Sequence, residues 1–383
     1  MNPEEIPEDQ LVLPNPAEYM LQPKYAAEHL GVSTQTLRNM EREYGLDVQR
    51  VQMGAVSARV YRPADIFDMA ALRRSKGHSS CDIKPTVMTV YVQKGGTGKS
   101  TFAVNLSIQF AMKGYRVLVI DNDPQADTTS MFGYDPDMTP EELEENGIPG
   151  DRAVNGHLAN LLNPKSIFRP MELEDVIKKP FGENGPHLIP ADNTLDELEV
   201  LLHLASTGDS TYSHFLARAM SKSQQVNRGG PRLSYDLSGY DIILFDNAPS
   251  TSNLTRNTLV ASDFLLCPIR IDKLSFRALS RLHHRLVQLE EDMSRSPTTI
   301  AVPTWYVRNR PRYEKNLSKL QDIFEDGITE TTLDYSEDYS KAMDEGIPLS
   351  FWKNGTGRAG SAYAALAEEI IASVATVQAL RRG

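Results

Sequence analysis

The second part of the chain alternates short hydrophobic runs with longer segments whose apolar residues recur every three or four positions. Such runs predict buried parallel strands, and such segments predict helices packed on a sheet. The predicted strands cover residues 87–92, 115–120, 240–246, 264–269 and 300–306. The predicted helices cover residues 102–112, 139–145, 194–204, 253–261 and 274–289, and a last helix extends to residue 377 or beyond. This alternation predicts an α/β domain over residues 85–383, built on a doubly wound and mostly parallel sheet.

Residues 21–76 follow a different pattern, which predicts a small helical domain. The predicted elements are helices over residues 24–30, 34–44 and 63–74 and a hairpin over residues 48–61. Ser33 is a favourable N-cap for the second helix, and the turn before it contains Gly31. Two helices joined by such a turn are typical of a helix-turn-helix unit, whose second helix enters the major groove of DNA.

Two segments outside these domains have the composition of irregular chain. Residues 1–20 contain five acidic residues, four prolines and no basic residue. This composition predicts an acidic disordered tail. Residues 77–84 contain a glycine and two serines, and they predict the linker between the two domains.

Composition limits the possible functions. The chain has 383 residues with a net charge of −11, so nucleic-acid binding would depend on local basic patches. The two cysteines, Cys81 and Cys267, exclude a disulfide framework and a cysteine-ligated metal cluster. No stretch resembles a signal peptide or the roughly 20 apolar residues of a membrane span. We therefore expect a soluble protein of a reducing compartment.

A glycine-rich loop follows the first strand of the α/β domain. Gly95, Gly96 and Gly98 lack a Cβ, so the backbone can approach an anion closely, and the N-terminus of the next helix directs its amide groups at that anion. In such a phosphate-binding loop, Lys99 reaches the β- and γ-phosphates and the Ser100 hydroxyl binds Mg²⁺. The loop residues predicted to bind the nucleotide are Gly95, Gly96, Thr97, Gly98, Lys99, Ser100 and Thr101.

This loop departs from the ordinary pattern at its start. Gln93 stands where that pattern has a glycine, and a second lysine, Lys94, follows it. The stretch from Lys94 to Thr101 therefore resembles the deviant Walker A motif of the ParA/MinD group of P-loop ATPases. The resemblance implies that ATP and Mg²⁺ are the cofactors. It also implies that two copies associate on ATP, with Lys94 reaching the phosphates bound by the partner subunit.

Two aspartates at strand ends extend the resemblance. Asp123 matches the switch I aspartate of the family, which orients the attacking water and meets Mg²⁺ through the water shell of the ion. Asp246 matches the Walker B aspartate, which holds Mg²⁺ through water opposite Ser100. Asn247 and Ala248 replace a Cys/Thr-Pro pair, and this change leaves the metal role intact. The predicted catalytic residues are Lys94, Lys99 and Asp123, and the predicted metal-site residues are Ser100, Asp123 and Asp246.

The N-terminal domain resembles the MerR-type winged helix. The resemblance rests on a Thr-Leu-Arg entry to the second helix and on an Arg-Val-Tyr-Arg-Pro sequence after the hairpin. The outward residues of the second helix, which suit contacts to bases and phosphates, are Gln35, Arg38, Asn39 and Arg42. Residues 21–76 contain nine basic and six acidic residues, a small excess of positive charge. A helical cap or dimerisation module with a charged surface remains an alternative.

A second basic cluster lies in the α/β domain. Its residues are Arg277, Arg281 and Arg285 on the predicted helix 274–289 and Arg310 in the loop after the last strand. Members of the family bind DNA non-specifically through basic residues in these two places, on a surface that the ATP dimer completes. A solvated helix face is the alternative interpretation.

Together, these resemblances imply a ParA-type ATPase that segregates a plasmid or another replicon. They imply hydrolysis stimulated by a ParB-type centromere-binding partner, a homodimer or polymer on ATP, and repression of its own operator by the N-terminal domain. A nucleotide-gated transcription regulator and a positioning ATPase for another cargo remain alternatives. The last helix is rich in alanine and carries Glu368 and Glu369, so we expect it to dock on the domain and not on a membrane. The expected location is the cytoplasm, in association with the nucleoid.

Overall fold

The structure is a computed structural model that describes residues 13–53, 56–78, 82–162, 167–205, 208–221, 235–324, 327–355 and 358–381. The strands are β1 (Arg50–Met53), β2 (Val56–Arg59), β3 (Thr86–Val90), β4 (Val117–Asn122), β5 (His187–Ile189), β6 (Ile242–Asn247), β7 (Phe264–Arg270), β8 (Thr298–Tyr306) and β9 (Leu333–Asp334). The helices are α1 (Pro23–His29), α2 (Thr34–Tyr44), α3 (Pro63–Ser75), α4 (Lys99–Met112), α5 (Asp127–Met131), α6 (Pro140–Glu145), α7 (Leu158–Leu162), α8 (Leu173–Val176), α9 (Leu195–Leu204), α10 (Thr211–Ala219), α11 (Asn253–Ala261), α12 (Lys273–Met293), α13 (Pro311–Phe324), α14 (Asp338–Asp344) and α15 (Arg358–Leu380).

Seven strands form one sheet in the order β5-β4-β6-β3-β7-β8-β9. Each neighbouring pair in this sheet is parallel, which confirms the predicted doubly wound α/β architecture. β3 lies between β6 and β7, so the glycine-rich loop leaves the centre of the sheet. The carboxyl ends of parallel strands share one edge of a sheet, and this edge is where such folds bind ligands.

Alternate residues of the central strands enter two different cores. Met88 and Val90 of β3 pack into the core that contains α4 and α15, whereas Val87 packs into the core that contains α9, α10 and α11. Successive side chains of a strand point to opposite faces. Because both faces are covered, these strands have continuous hydrophobic sequences.

The last helix docks on the α/β domain, in the core that contains α4. By length and apolar composition, Ala359–Leu380 is the one candidate for a membrane span among the described residues. It buries Tyr363, Leu366, Ile370 and Val374 in the same core as α4, the helix that follows the glycine-rich loop. The expected docking of this helix on the domain is confirmed.

The N-terminal domain has the predicted elements in the predicted order. The Ser33 hydroxyl accepts a hydrogen bond from the Thr36 amide at 3.0 Å, and Gly45, with φ of 64°, is the C-cap residue of α2. β1 and β2 form the antiparallel hairpin, with Arg50 opposite Arg59. The sequence therefore specifies both the helix boundaries and the hairpin of this domain.

Helix α3 of the N-terminal domain packs directly on α4, the helix that follows the glycine-rich loop. At the end of α4, a Cβ on Gly114 would lie 2.5 Å from the Ala70 carbonyl oxygen of α3, and Gly114 has φ of 83°. Both the contact and the backbone conformation require glycine. The Arg74 guanidinium pairs with Asp241 and lies 4.2 Å from the centroid of the Tyr115 ring. The two domains therefore share one continuous hydrophobic core.

The predicted disordered tail is wrong for residues 13–20. Pro16 is buried in a short 3-10 helix, and the Tyr19 ring stacks on Phe351 with centroids 6.5 Å apart. Pro16 and Tyr19 bury apolar surface, although the average composition of residues 1–20 is acidic. Residues 1–12 lie outside the described residues. The predicted linker is described at 77–78 and 82–84, where the Lys84 amide donates to Gln378 of α15 at 2.9 Å.

Candidate nucleotide-binding site

The loop between β3 and α4 has the backbone of an anion cradle. Gly96 and Gly98 have φ of 65° and 76°, a left-handed conformation that favours glycine. Gly98 caps the N-terminus of the 14-residue helix α4. Free amide groups and the positive end of the helix dipole therefore face the same point.

This cradle is one wall of a cleft of about 490 Å³ at the carboxyl edge of the sheet. The cleft is lined by residues 95–102, by Asp123, Gln125 and Asp127 after β4, and by Pro249 after β6. Its lining also includes the aromatic side chains of Trp305, Tyr339 and Tyr363. An anion cradle and aromatic side chains in one cleft of this size suit a nucleotide.

Lys99 is buried at the floor of the cleft, with 7% of its surface exposed. Burial lowers the pKa of its ammonium, while the carboxylates of Asp246, Asp123 and Asp127 oppose this shift. A buried lysine surrounded by carboxylates and facing an anion cradle is suited to hold phosphate oxygens.

Asp246 is fully buried at the end of β6. Its Oδ2 accepts a hydrogen bond from the Thr128 hydroxyl at 2.8 Å, while Oδ1 has no hydrogen-bond partner among the described residues. Burial raises the pKa of this carboxyl to about 6, and the hydroxyls of Ser100 and Thr128 reduce the shift. An orphaned buried carboxylate oxygen needs a partner.

Magnesium fits this arrangement. Ser100, Asp123 and Asp246 would hold it, partly through water and the phosphates, as Mg²⁺ sites with one or two carboxylates commonly do. When bound, the ion would neutralise charge on the phosphate oxygens. It would also compensate the buried negative charge of Asp246.

Asp121 is a structural partner of this site that the sequence analysis did not single out. It lies opposite Asp246 in the pairing of β4 with β6. Its carboxylate accepts hydrogen bonds from the Asp123 amide at 3.2 Å and from the Thr129 amide at 2.9 Å and hydroxyl at 2.7 Å. Burial and then the charge of Asp246 raise the pKa of Asp121. Asp121 thereby fixes the segment that carries Asp123. Its position at the end of a buried strand, two residues before Asp123, is the feature of the sequence that could have indicated this role.

Lys94 lies at the front of the loop, outside the cradle. Its ammonium donates to Asp272 Oδ1 and Oδ2 at 2.9 and 2.8 Å and to the Ser275 hydroxyl at 3.2 Å. Asp272 was not singled out from the sequence, although it follows β7 at the carboxyl edge of the sheet. The structure therefore separates the two lysines of the motif: Lys99 faces the cleft, and Lys94 is held by its own chain.

The aromatic side chains that line the cleft were also missed from the sequence. Trp305 has φ of 57°, which is unusual for a bulky residue. The Arg270 guanidinium lies 4.2 Å from its ring centroid, and Tyr339 stacks on it at 6.5 Å. Strained backbone that is over-determined by packing is common at ligand sites.

The predicted DNA-contacting residues lie on two separate surfaces. On α2, Gln35, Arg38, Asn39 and Arg42 are exposed. Asn39 accepts hydrogen bonds from Gln35 at 3.4 Å and from Arg42 at 3.1 Å, so these side chains form one polar face.

On the second surface, Arg285 is less exposed than the other three predicted residues. Arg277 and Arg281 of α12 and Arg310 before α13 are exposed. Arg285 is half-buried, because its guanidinium donates to the Tyr91 hydroxyl at 3.1 Å and to the Thr251 carbonyl at 3.3 Å. These bonds hold the Arg285 guanidinium against the segments that follow β3 and β6. Arg285 is therefore less accessible to DNA than Arg277 and Arg281.

Comparisons with known proteins agree with this site. A family model described as an AAA domain matches residues 85–298, more than half of the chain. The chain is 26% identical over 305 residues to the probable plasmid-partitioning protein ParA of Thermus thermophilus, across 78% of this chain and 81% of that protein.

Solved structures share the fold. Cobyrinic acid a,c-diamide synthase from Mycobacterium smegmatis, with an ATP analogue and magnesium bound, has a TM-score of 0.55 at 19% identity and covers 75% of this chain and 94% of its own. A structure described as a partition protein has a TM-score of 0.57 at 17% identity and covers 95% of this chain and 94% of its own. This second likeness in fold includes the N-terminal domain. The family match shows that the chain belongs to the AAA-domain family of P-loop proteins, and within that family it is similar to ParA-type partition ATPases.

Proposed function

We propose that this protein binds ATP with Mg²⁺, forms a homodimer on ATP, and hydrolyses it slowly to ADP and phosphate. The observation that carries the proposal is the joint placement of Lys99, Asp246 and Asp123 around the N-terminus of α4. Lys99 and the loop amides hold the β- and γ-phosphates. Ser100 and Asp246 form the metal site.

Asp123 is the residue we assign to the attacking water. It lines the cleft, its amide donates to Asp121 at 3.2 Å, and its carboxylate accepts a hydrogen bond from the Gln125 amide at 3.0 Å. Both its backbone and its carboxylate are therefore held in place at the cleft. A carboxylate there accepts a hydrogen bond from water and orients it for attack on the γ-phosphorus. The leaving β-phosphate oxygens are stabilised by Lys99 and the amides of the loop.

Lys94 completes the site of the partner subunit in this proposal. Replacing Lys94 by alanine should leave ADP binding by the monomer unchanged within about twofold, because this side chain lies outside the cradle. ATP-driven dimerisation and hydrolysis should both be lost. Isothermal titration with ADP measures the first property, sedimentation velocity with ATP measures the second, and phosphate release measures the third. An intact ATP dimer of the variant would contradict a role of Lys94 across the interface.

The proposed cellular role is the partition of a plasmid or another replicon. The ATP dimer binds bulk DNA through Arg277, Arg281 and Arg310, and a ParB-type partner bound at a centromere stimulates hydrolysis and releases the dimer. The partition relative and the basic, exposed position of these side chains support this role. Such a protein works in the cytoplasm, in association with the nucleoid.

The N-terminal domain is proposed to bind the operator of its own gene as a MerR-like winged helix-turn-helix. Its α2 presents Gln35, Arg38, Asn39 and Arg42 on one exposed face, away from the core shared with the α/β domain. Side chains of these types read base edges and phosphates. The second basic surface, formed by Arg277, Arg281 and Arg310, contacts DNA through charge alone. It therefore binds a duplex of any sequence.

Two variants should separate these DNA-binding activities. Arg38→Ala should lose about 1–3 kcal/mol of preference for operator over random DNA, while ATP-dependent binding to random DNA persists. Arg277→Glu with Arg281→Glu should retain operator preference and lose bulk binding, whose affinity falls steeply with salt. Titrations on operator and random duplexes, with ATP, with ADP and without nucleotide, test both variants. Loss of both activities in each variant would mean that the chain has one DNA surface.

A nucleotide-gated transcription regulator is the second candidate. The observation that favours it is the packing of α3 against α4, which connects the helix-turn-helix domain with the phosphate loop. A partition protein stabilises a plasmid that carries its gene and centromere, whereas a regulator changes transcription alone. Plasmid-loss assays with and without the gene therefore distinguish the two functions.

A further inference from the structure

The Lys94 ammonium is saturated by acceptors of its own chain. An ammonium has three N–H donors, and Lys94 has three acceptors: the two oxygens of Asp272 and the hydroxyl of Ser275. The side chains of Lys94 and Asp272 are 22% and 31% exposed, so this ion pair is partly shielded from water. Lys94 must therefore lose all three bonds before it can bind a phosphate elsewhere.

Asp272 is itself held in place for this contact. It precedes α12, and its Oδ1 accepts hydrogen bonds from the Ser275 amide at 2.9 Å and hydroxyl at 3.0 Å. Burial alone would raise the pKa of Asp272, but hydrogen bonds from Lys94 and Ser275 outweigh it and keep the pKa below its ordinary value. A capping carboxylate of this kind is an N-cap of the helix, and its position does not depend on Lys94.

Asp272 keeps a second cation when Lys94 leaves. Arg270 Nε lies 3.6 Å from Asp272 Oδ2, and Arg270 Nη1 donates to the Gly96 carbonyl of the phosphate loop at 3.3 Å. The guanidinium can therefore compensate the carboxylate, which limits the cost of releasing Lys94. The same Arg270 stacks on Trp305 of the cleft.

We propose that Asp272 is a positioning residue that holds Lys94 in a resting ion pair and thereby sets the protein concentration at which the ATP dimer forms. This inference rests on the proposed role of Lys94 across the dimer interface. The phosphates bound by the partner subunit compete with Asp272 for the same ammonium. Formation of one dimer breaks two resting ion pairs, one in each subunit. A variant that changes the stability of this pair by a given factor therefore changes the dimer dissociation constant by the square of that factor.

Neutralising Asp272 should strengthen the dimer. Asp272→Asn keeps a good N-cap for α12 but removes the charge that attracts Lys94. A partly exposed ion pair is worth about a fivefold effect per subunit, so the dimer dissociation constant should fall roughly 25-fold. Ser275→Ala removes one acceptor and keeps the charge, so it should shift the constant in the same direction by less. ADP affinity and the thermal melting curve serve as checks that each variant is folded.

The matched control is Glu337→Gln, which neutralises another carboxylate that pairs with a lysine: Glu337 and Lys341, 3.3 Å apart, form an exposed ion pair at the start of α14. Sedimentation velocity over a series of protein concentrations, with a non-hydrolysable ATP analogue, gives the dimer dissociation constant of wild type and of each variant. We expect a tighter dimer for Asp272→Asn, a smaller shift for Ser275→Ala, no change for Glu337→Gln and no dimer for Lys94→Ala. If Lys94→Ala lacks the dimer while Asp272→Asn and Ser275→Ala match wild type, the resting ion pair is overturned and the proposed function stands. If Lys94→Ala dimerises like wild type, the role of Lys94 across the interface and the resting ion pair are both overturned.

Discussion

Replacing Lys99 by alanine is expected to abolish nucleotide binding and, with it, hydrolysis and dimerisation. Lys99 is 7% exposed and lies among Asp246, Asp123 and Asp127, whose negative charges repel phosphates once the lysine is gone. Truncating one partner of a buried, hydrogen-bonded charge pair commonly costs enough to lower affinity by about two to three orders of magnitude. Isothermal titration with ATP and ADP in the presence of Mg²⁺ measures this loss.

The control for Lys99 lies at the other end of the same helix. Lys113 is the C-cap residue of α4 and pairs with Glu368 of α15, far from the glycine-rich loop. Lys113→Ala removes the same charge from the same helix, and we expect its ATP affinity to stay within about twofold of wild type. Equal losses in the two variants would show that positive charge on α4 matters and that the position of Lys99 does not.

Replacing Asp123 by alanine is expected to separate binding from turnover. The variant should bind ATP and dimerise, because the phosphates are held by the loop, Lys99 and Ser100. Turnover should fall by about 10²–10⁴-fold, the usual contribution of a positioned acid–base group. Single-turnover hydrolysis measures the chemical step, and sedimentation with ATP measures the dimer.

Asp137 provides the matched control for Asp123. It is an exposed aspartate further along the same segment and does not line the cleft. Asp137→Ala should hydrolyse ATP at the wild-type rate. If Asp123→Ala instead hydrolyses ATP at the wild-type rate, Asp123 does not orient the attacking water and another residue has this role.

The sheet and the phosphate loop could be predicted because their causes are local in sequence. Strands buried on both faces require continuous hydrophobic runs, and a glycine loop between a strand and a helix has few other uses. Asp246 was predictable for the same reason, since it ends such a run.

Features that depend on contacts between distant segments could not be predicted. Lys94 and Asp272 are 178 positions apart and meet because β3 pairs with β7. The spacing of Arg285 predicts a basic helix face, but its bonds to Tyr91 and Thr251 hold its guanidinium in a half-buried position. Pro16 and Tyr19 lie in a segment whose average composition is acidic, and their packing depends on Phe351. In each case the deciding partner lies on another element of the fold.

The central claim is that one ATP site is completed by Lys94 of one subunit and Asp123 of the other, and a mixing experiment tests it most directly. Lys94→Ala and Asp123→Ala are each expected to be inactive alone. In a mixed dimer, the Lys94→Ala subunit keeps its own Asp123 and receives Lys94 from its partner, so one of the two sites is complete. Phosphate release should therefore reappear when the two inactive proteins are mixed with ATP. If the mixture stays as inactive as its components while co-purification of one variant with the affinity-tagged other shows that mixed dimers form, Lys94 does not act across the interface.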